Sequence, residues 1–374
     1  MKVHVTLIGR QTAPAYNCIM HFNPDKVFYI YSPETRGELS VLQSLVSIPY
    51  EAIEVSASDL SDIRTKAFEL SGRLVSEDEV TVNLQGGTKH WSLIFYSAFS
   101  QMTNCSMYLI DQNNIMSNLN NLENHVIDSD VFSYFYLTGN PPQGYTDFAE
   151  YDEEDLKSMK IISNARRHDI QKFNALAALL KDKWAEKLRT SKHGIFKADD
   201  YSYIKWDKSD TVQTVEIVLD GKKFYLSSPH AVSLTFNSGW FEYKVARMLS
   251  HWCHAEKILL NCVFPPKTNP SEIDLRYPKN EVDIIVFTNK KALFVECKTK
   301  LHNSTDIDKF RTVVRNYGGQ SSKALFITDR PMLPLQKEKC SESAIITFSM
   351  KDSGPNKEQE LFRILNAELS VINK

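Results

Sequence analysis

Six cysteines stand in the 374 residues, at positions 18, 105, 253, 262, 297 and 340. No two form a Cys-x-x-Cys pair, which excludes a disulfide framework and fits a reducing cytoplasm. His251-Trp252-Cys253-His254 has poor spacing for one tetrahedral zinc set and reads as a helix end. No apolar run approaches the ~18 residues that span a bilayer, so no membrane partner is expected. Met1–Gly9 is too short and too strand-like for a signal peptide, so the expected location is cytoplasmic. Only 13 glycines are present. They make neither a Gly-x-Gly-x-x-Gly fingerprint nor a full P-loop, which argues against NAD and ATP. The net charge of −2 excludes a global basic field. There is no internal repeat or low-complexity tract.

What is present is organised around residues 280–300. Two β-rich runs, Val282–Phe287 and Ala292–Cys297, flank a polar turn and read as an antiparallel hairpin. Each run carries an acid, Asp283 and Glu296, where an unpaired carboxylate is costly to bury. Strand alternation puts Glu296 and Lys298 on one face and Cys297 on the other. The hairpin can set Asp283 beside Glu296. A divalent cation relieves that repulsion, with the Cys297 carbonyl as a third oxygen. Lys298 can hold or activate a water, or offset charge on a phosphate.

Upstream, Ser238–Leu249 reads as a helix with apolar residues at Phe241, Val245, Met248 and Leu249 and with Glu242 beside that face. Downstream, Asp306–Asn316 reads as a helix ending at Tyr317-Gly318-Gly319-Gln320, and Lys323–Thr328 as the next strand. Between 240 and 330 there are 15 Lys and Arg against 10 Asp and Glu, a modest basic bias suited to phosphate contacts.

The Asp-x12-Glu-x-Lys spacing resembles the PD-(D/E)xK nuclease superfamily, although Asn-Glu-Val-Asp replaces the proline-aspartate half. The resemblance implies a catalytic set of Glu242, Asp283, Glu296, Lys298 and Gln320. It implies a manganese or magnesium site at Asp283, Glu296 and the Cys297 carbonyl. Glu242 would support the metal cluster, and Gln320 would orient substrate or water.

In the first third, apolar strands at 2–9, 26–32, 51–56, 79–84 and 105–111 alternate with helical stretches. That pattern implies βαβ units and a parallel, Rossmann-like sheet. Ligands of such sheets bind at the carboxyl ends of the strands. Two polar loops fall there, Gly9–Pro14 and Gln85-Gly86-Gly87-Thr88-Lys89-His90. Gly86 and Gly87 let backbone amides approach a ligand, and Thr88 and Lys89 open a helix whose N-terminus favours phosphate.

This Gly-Gly-Thr-Lys turn and its place in the chain resemble the CARF (CRISPR-associated Rossmann fold) sensor domain, over roughly residues 1–140. The family binds cyclic oligoadenylates made by type III CRISPR complexes. Gln85, Gly86, Gly87, Thr88 and Lys89 would then hold phosphate and ribose, with Arg10, Gln11 and Thr12 as the other wall. Some members cleave their ligand through a hydroxyl in the first loop, a role open here only to Thr12.

The expected fold is α/β: a Rossmann-like CARF domain (1–140) with a parallel sheet, a helical and β-hairpin connector (141–235), and a restriction-endonuclease-like domain with a mixed sheet (236–374). In the connector, Glu153–Ser191 reads as one charged helical stretch whose Arg166-Arg167-His168 is a solvated face. The combination resembles the ancillary nucleases of type III CRISPR defence. It implies activation by cyclic tetra-adenylate on the dyad of a homodimer, and cleavage of single-stranded DNA or RNA or nicking of duplex. Two other readings remain: a ligand-sensing regulator that binds nucleic acid without cutting it, and a constitutive restriction or repair nuclease.

Overall fold

The computed structural model describes all residues except 112–114, 128–130, 138–140, 180–181, 266–279, 289–290, 302–303, 319–321, 353–355 and 370–374. The chain divides into two compact units, one essentially Met1–Pro142 and the other Gln143–Phe264, Ile273–Gly318 and Ser322–Lys374.

The first unit alternates strand and helix: β1 (Lys2–Leu7), α1 (Ala13–Phe22), β2 (Lys26–Tyr31), α2 (Arg36–Leu45), β3 (Tyr50–Glu54), α3 (Leu60–Leu74), β4 (Glu79–Asn83), α4 (Lys89–Phe99) and β5 (Cys105–Ile110). β6 (Ile115–Asn118), β7 (Asn124–Val126) and α5 (Val131–Leu137) follow. The sheet order is β3-β2-β1-β4-β5-β6-β7. β1 to β5 run parallel, and β6 and β7 add an antiparallel edge that the sequence pattern did not announce. Val3, Val5 and Leu7 pack on one face with Val80, Val82, Phe95 and Phe99. On the other face, Val27 and Tyr29 pack with Ile19, Leu39 and Leu42. β2 is buried on both faces and reads as a continuous apolar run, whereas β1 buries His4 and Thr6 on one face, where His4 Nδ1 lies 2.7 Å from Thr81 Oγ1 and Thr6 Oγ1 accepts from Asn83.

The second unit contains β8 (Gly144–Asp147), α6 (Glu153–His168), α7 (Ile170–Ala177), α8 (Asp182–Thr190), β9 (His193–Asp199), β10 (Ser202–Asp207), β11 (Gln213–Leu219), β12 (Lys222–Ser228) and α9 (Ala231–Thr235). It continues with α10 (Gly239–Ser250), β13 (Lys257–Val263), β14 (Glu281–Phe287), β15 (Ala292–Lys298), α11 (Thr305–Tyr317), β16 (Ser322–Thr328), α12 (Pro334–Glu342), β17 (Ile345–Ser349) and α13 (Lys357–Leu369). β9 to β12 form an antiparallel sheet. The other sheet is mixed, in the order β17-β16-β15-β14-β13-β8. β15, β16 and β17 are parallel, and the remaining pairs are antiparallel.

Residues 141–235 do more than connect. Leu156, Ile162, Phe173, Trp206 and Ile217 share one core with Phe241, Leu249, Ile284 and Val295. The single helical stretch read over 153–191 is three helices. Asp169 breaks it in an extended conformation, and its side chain caps α7 by accepting from the Gln171 and Lys172 amides. Arg166 is not on a solvated face: its side chain is 13% exposed and its guanidinium lies 3.6 Å from the Trp240 ring centre. An arginine can bury its planar charge against an indole, which a charge count along the chain does not show.

Leu249 is fully buried where α10 meets the mixed sheet. Leu249→Ala should cost about 2–5 kcal/mol and lower the denaturation midpoint of the second unit. A loss below about 1 kcal/mol would mean α10 is not held by this core.

Candidate active site and ligand crevice

Strands β14 and β15 pair from Phe287–Ala292 up to Ile284–Val295. Continued past that point, the register sets Asp283 against Glu296 and Glu281 against Lys298. The pairing itself stops before these residues, and Glu281, Asp283 and Lys298 border one cavity together with Cys297 at this end of the hairpin. The ladder opens there. The Cys297 amide donates to Asp283 Oδ2 at 2.7 Å in place of a backbone carbonyl. Lys298 Nζ is 2.5 Å from Glu296 Oε1.

Glu242 reaches the same place from the first turn of α10, where the charges of Asp283, Glu281, Lys298 and Glu296 act on it. Its position follows from a tight entry. Asn237 and Ser238 have positive φ, and a Cβ on Gly239 would lie 2.0 Å from the Ser233 carbonyl oxygen. A cavity of about 630 Å³ is lined by Glu242, Glu281, Asp283, Cys297 and Lys298. Glu296 does not line it and joins through its ion pair with Lys298. The opposite wall comes largely from 141–235, with Tyr151, Arg189 and Lys208, and Lys300 adds a further cation. Gln320 lies outside the described residues.

Sequence reasoning missed Glu281, although it stands two residues before Asp283 and strand alternation sets it on the same face. It also missed the cationic wall, because nothing local ties Arg189 and Lys208 to residues a hundred positions later.

The electrostatics are those of crowded acids. Burial, then the Asp283 charge, pushes Glu242 well above the usual carboxylate range. Burial raises Asp283 against the pull of Lys298 and the Cys297 amide. Burial and Asp283 push Glu296 up to about 8, and the same two causes raise Glu281. Burial opposes the charge of Lys298, but Asp283 and Glu296 outweigh it, so the ammonium keeps its proton.

In the first unit, the order β2-β1-β4-β5 makes the gap between β1 and β4 the switch point of the parallel sheet, where such folds open a crevice. The loops after β1 and β4 meet there. Asn83 ties them together: its amide donates to Thr6 Oγ1 at 3.2 Å and to the Pro14 carbonyl at 3.3 Å, and its oxygen accepts from the Gln85 amide at 2.9 Å. Gly86 has φ +131° and a Cβ there would lie 2.2 Å from the Leu7 carbonyl oxygen. Thr88 Oγ1 accepts from the Trp91 amide and caps α4. Arg10, Gln11, Gly87 and Lys89 are exposed, and Gln85, Gly86 and Thr88 are half-buried. Thr12 differs: it is 4% exposed and its hydroxyl donates to the Leu137 carbonyl.

The chain is therefore a Rossmann-like parallel-sheet unit joined to a mixed-sheet unit with a buried acid–lysine cluster. Residues 3–133 match the family model of the Card1 CARF domain. The fold of nearly the whole chain recurs in solved structures. Can2 from Sulfobacillus thermosulfidooxidans, in complex with cyclic tetra-adenylate, has a TM-score of 0.65 and 16% identity, covering 99% of each chain. Protein VC1899 from Vibrio cholerae has a TM-score of 0.74 and 14% identity, covering 98% of each. A type III CRISPR defence DNA nuclease activated by cyclic oligoadenylate has a TM-score of 0.56 and 15% identity. That alignment covers 97% of this chain but 51% of the other. At these identities the likeness is one of fold. No curated protein matches the chain significantly.

Two expectations follow. A carboxylate raised by folding supports the fold below its unfolded value, and that support is lost as pH rises through the raised value. Without divalent cation, the melting temperature of the second unit should fall between about pH 5 and pH 9, and manganese should restore it more at the upper end. A flat profile would mean the acids are not proton-loaded. Separately, Gly86→Ala should displace the β4–α4 turn and weaken ligand binding to the first unit at least tenfold, roughly 1.4 kcal/mol. Calorimetric titration with cyclic tetra-adenylate would check this, and unchanged affinity would exclude the turn from the ligand site.

Proposed function

We propose that this protein is a metal-dependent nuclease of type III CRISPR defence, switched on by cyclic tetra-adenylate. Its substrate is single-stranded DNA or RNA, with nicking of duplex DNA as a further activity. The observation that carries the reading is the crowding of Asp283, Glu296 and Glu242 around one protonated lysine at an open cavity.

Among the described residues, no group of three or more His, Cys, Asp or Glu side chains forms a ready-made metal cage. The donors on offer are two carboxylates, Asp283 and Glu296, and the Cys297 carbonyl, with Glu242 in support. Oxygen donors of this kind suit magnesium or manganese, and a cation relieves the repulsion that raises these acids. When bound, the cation would supply Lewis-acid stabilisation of charge building on the scissile phosphate. The chain's own residues do the rest. Lys298 keeps its proton, so it donates: it holds the attacking water or offsets phosphate charge, and it does not act as a base. Arg189, Lys208 and Lys300 face the strand's phosphates across the cavity, where a polyanion is steered and held. Gln320, if it reaches the site, orients substrate or water.

In the first unit, Arg10, Gln11, Thr12 and Gln85–Lys89 would hold the activator. The Gly86–Gly87 backbone and the α4 N-terminus offer amides to phosphate. The Thr12 hydroxyl is engaged with the Leu137 carbonyl, which supports binding without ligand cleavage. A cyclic tetra-adenylate has two-fold symmetry, so one sensor per chain calls for a homodimer with the ring on its dyad. Binding would shift the pair between idle and active arrangements.

The test incubates the protein with labelled single-stranded DNA, single-stranded RNA and supercoiled plasmid in manganese, with and without cyclic tetra-adenylate. Cutting is expected only with activator and is abolished by a chelator. Glu296→Gln and Lys298→Met should each lower the rate by about 10²–10³-fold. Affinity for the activator should stay unchanged. Cutting without activator would remove the sensor reading. A bound activator with no cutting of any substrate would favour the binding regulator.

A further inference from the structure

A second cavity of about 600 Å³ lies along another part of α10, lined by Lys244, Arg247, His251 and Lys357 over a floor of Met159, Met248 and Met350. Lys244, Arg247 and His251 stand at i, i+3 and i+7, which puts them on one stripe of the helix. Among the described residues, the Lys244 and Arg247 side chains make no hydrogen bond or ion pair. Lys357 donates to a neutral acceptor, the Met350 carbonyl. His251 faces Glu358 at 3.4 Å, the one carboxylate in the lining. Asp329 is the acid that acts on Lys244, followed by the like charges of Lys357 and Arg166. The Arg166 Nε is buried without a hydrogen-bond partner, and Asp329, 3.8 Å away, is its counter-ion. Cations gathered this way, with too few acids between them, are costly unless an anion completes them.

We infer that this cavity is a phosphate-binding exosite for the nucleic-acid strand beyond the cut position, the substrate class resting on the nuclease reading above. Two observations favour a strand over a small phosphate compound. The cations are spread over two helices: Lys244 and Arg247 stand one turn apart on α10, and Lys357 comes from the first turn of α13. The cluster also adjoins the candidate active site. The Asp329 amide donates to the Lys298 carbonyl at 3.1 Å, and α10 carries Glu242 as well as Lys244. A strand anchored here would need only to follow α10 to reach the acids.

The test measures binding of a long single-stranded oligonucleotide and of a tetranucleotide to the full chain, by fluorescence anisotropy in chelator at several salt concentrations. Binding is thus read apart from cutting, so a failed nuclease reading and a failed exosite give different results. The Lys244→Gln/Arg247→Gln variant should bind the long strand about tenfold more weakly, with a salt slope smaller by about 1.4 for two lost phosphate contacts. The tetranucleotide should be little affected. The charge-keeping variant Lys244→Arg/Arg247→Lys should retain both affinity and slope. Unchanged affinity and slope in the neutral variant would overturn the exosite. So would a loss shared by the charge-keeping variant, which would mark a structural role. If inorganic tripolyphosphate binding is lost while long-strand affinity holds, the cavity takes a small phosphate compound and the strand proposal fails.

Discussion

The second unit turns on one electrostatic constraint: four acids and one lysine share a small, partly dehydrated space where β14 and β15 diverge. Asp283, Glu296, Glu242 and Glu281 cannot all ionise there at low cost. Lys298 offsets part of that charge and keeps its proton as a result. Such an arrangement is a poor way to stabilise a protein, since a buried ion pair at best roughly breaks even against apolar packing. The apolar scaffold around it bears the cost. Phe241, Val245 and Leu249 of α10 pack with Ile284, Val286, Val295 and Cys297 in one continuous core, which holds the acids at fixed spacing.

The same helix links three features. Its first turn presents Glu242 to the acids, Trp240 lies under the Arg166 guanidinium, and another stripe presents Lys244, Arg247 and His251 to a separate cavity. A helix can do this because positions two apart, such as Glu242 and Lys244, face nearly opposite directions, while positions three, four and seven apart share a stripe. The first unit is built differently. It brings two loops together at the switch point of a parallel sheet and removes side chains where the backbones meet, at Gly9 and Gly86.

Much of this was legible in the chain. The five parallel strands of the first unit and the β14–β15 hairpin were visible because strand burial and turn chemistry are local, and local patterns survive in sequence. Asp283, Glu296 and Lys298 stood out because acids are rare inside apolar runs. Glu281 did not, since at the start of a strand it looks like any solvated residue. The break at Asp169 was missed because the charged stretch keeps a helical composition on both sides of the capping residue.

The sequence by itself determined the order of strands and helices, the glycine turn after β4 and the acid–acid–lysine set, since each is written in spacing along a few residues. Tertiary structure alone decided that residues 141–235 share the core of the second unit and supply Tyr151, Arg189 and Lys208 to its cavity. It alone decided that the Thr12 hydroxyl is spent on Leu137 and that Arg166 is buried on Trp240. The reason is the same in each case. These relations join residues tens to more than a hundred positions apart, and their energies come from packing and desolvation, which a sequence pattern does not record.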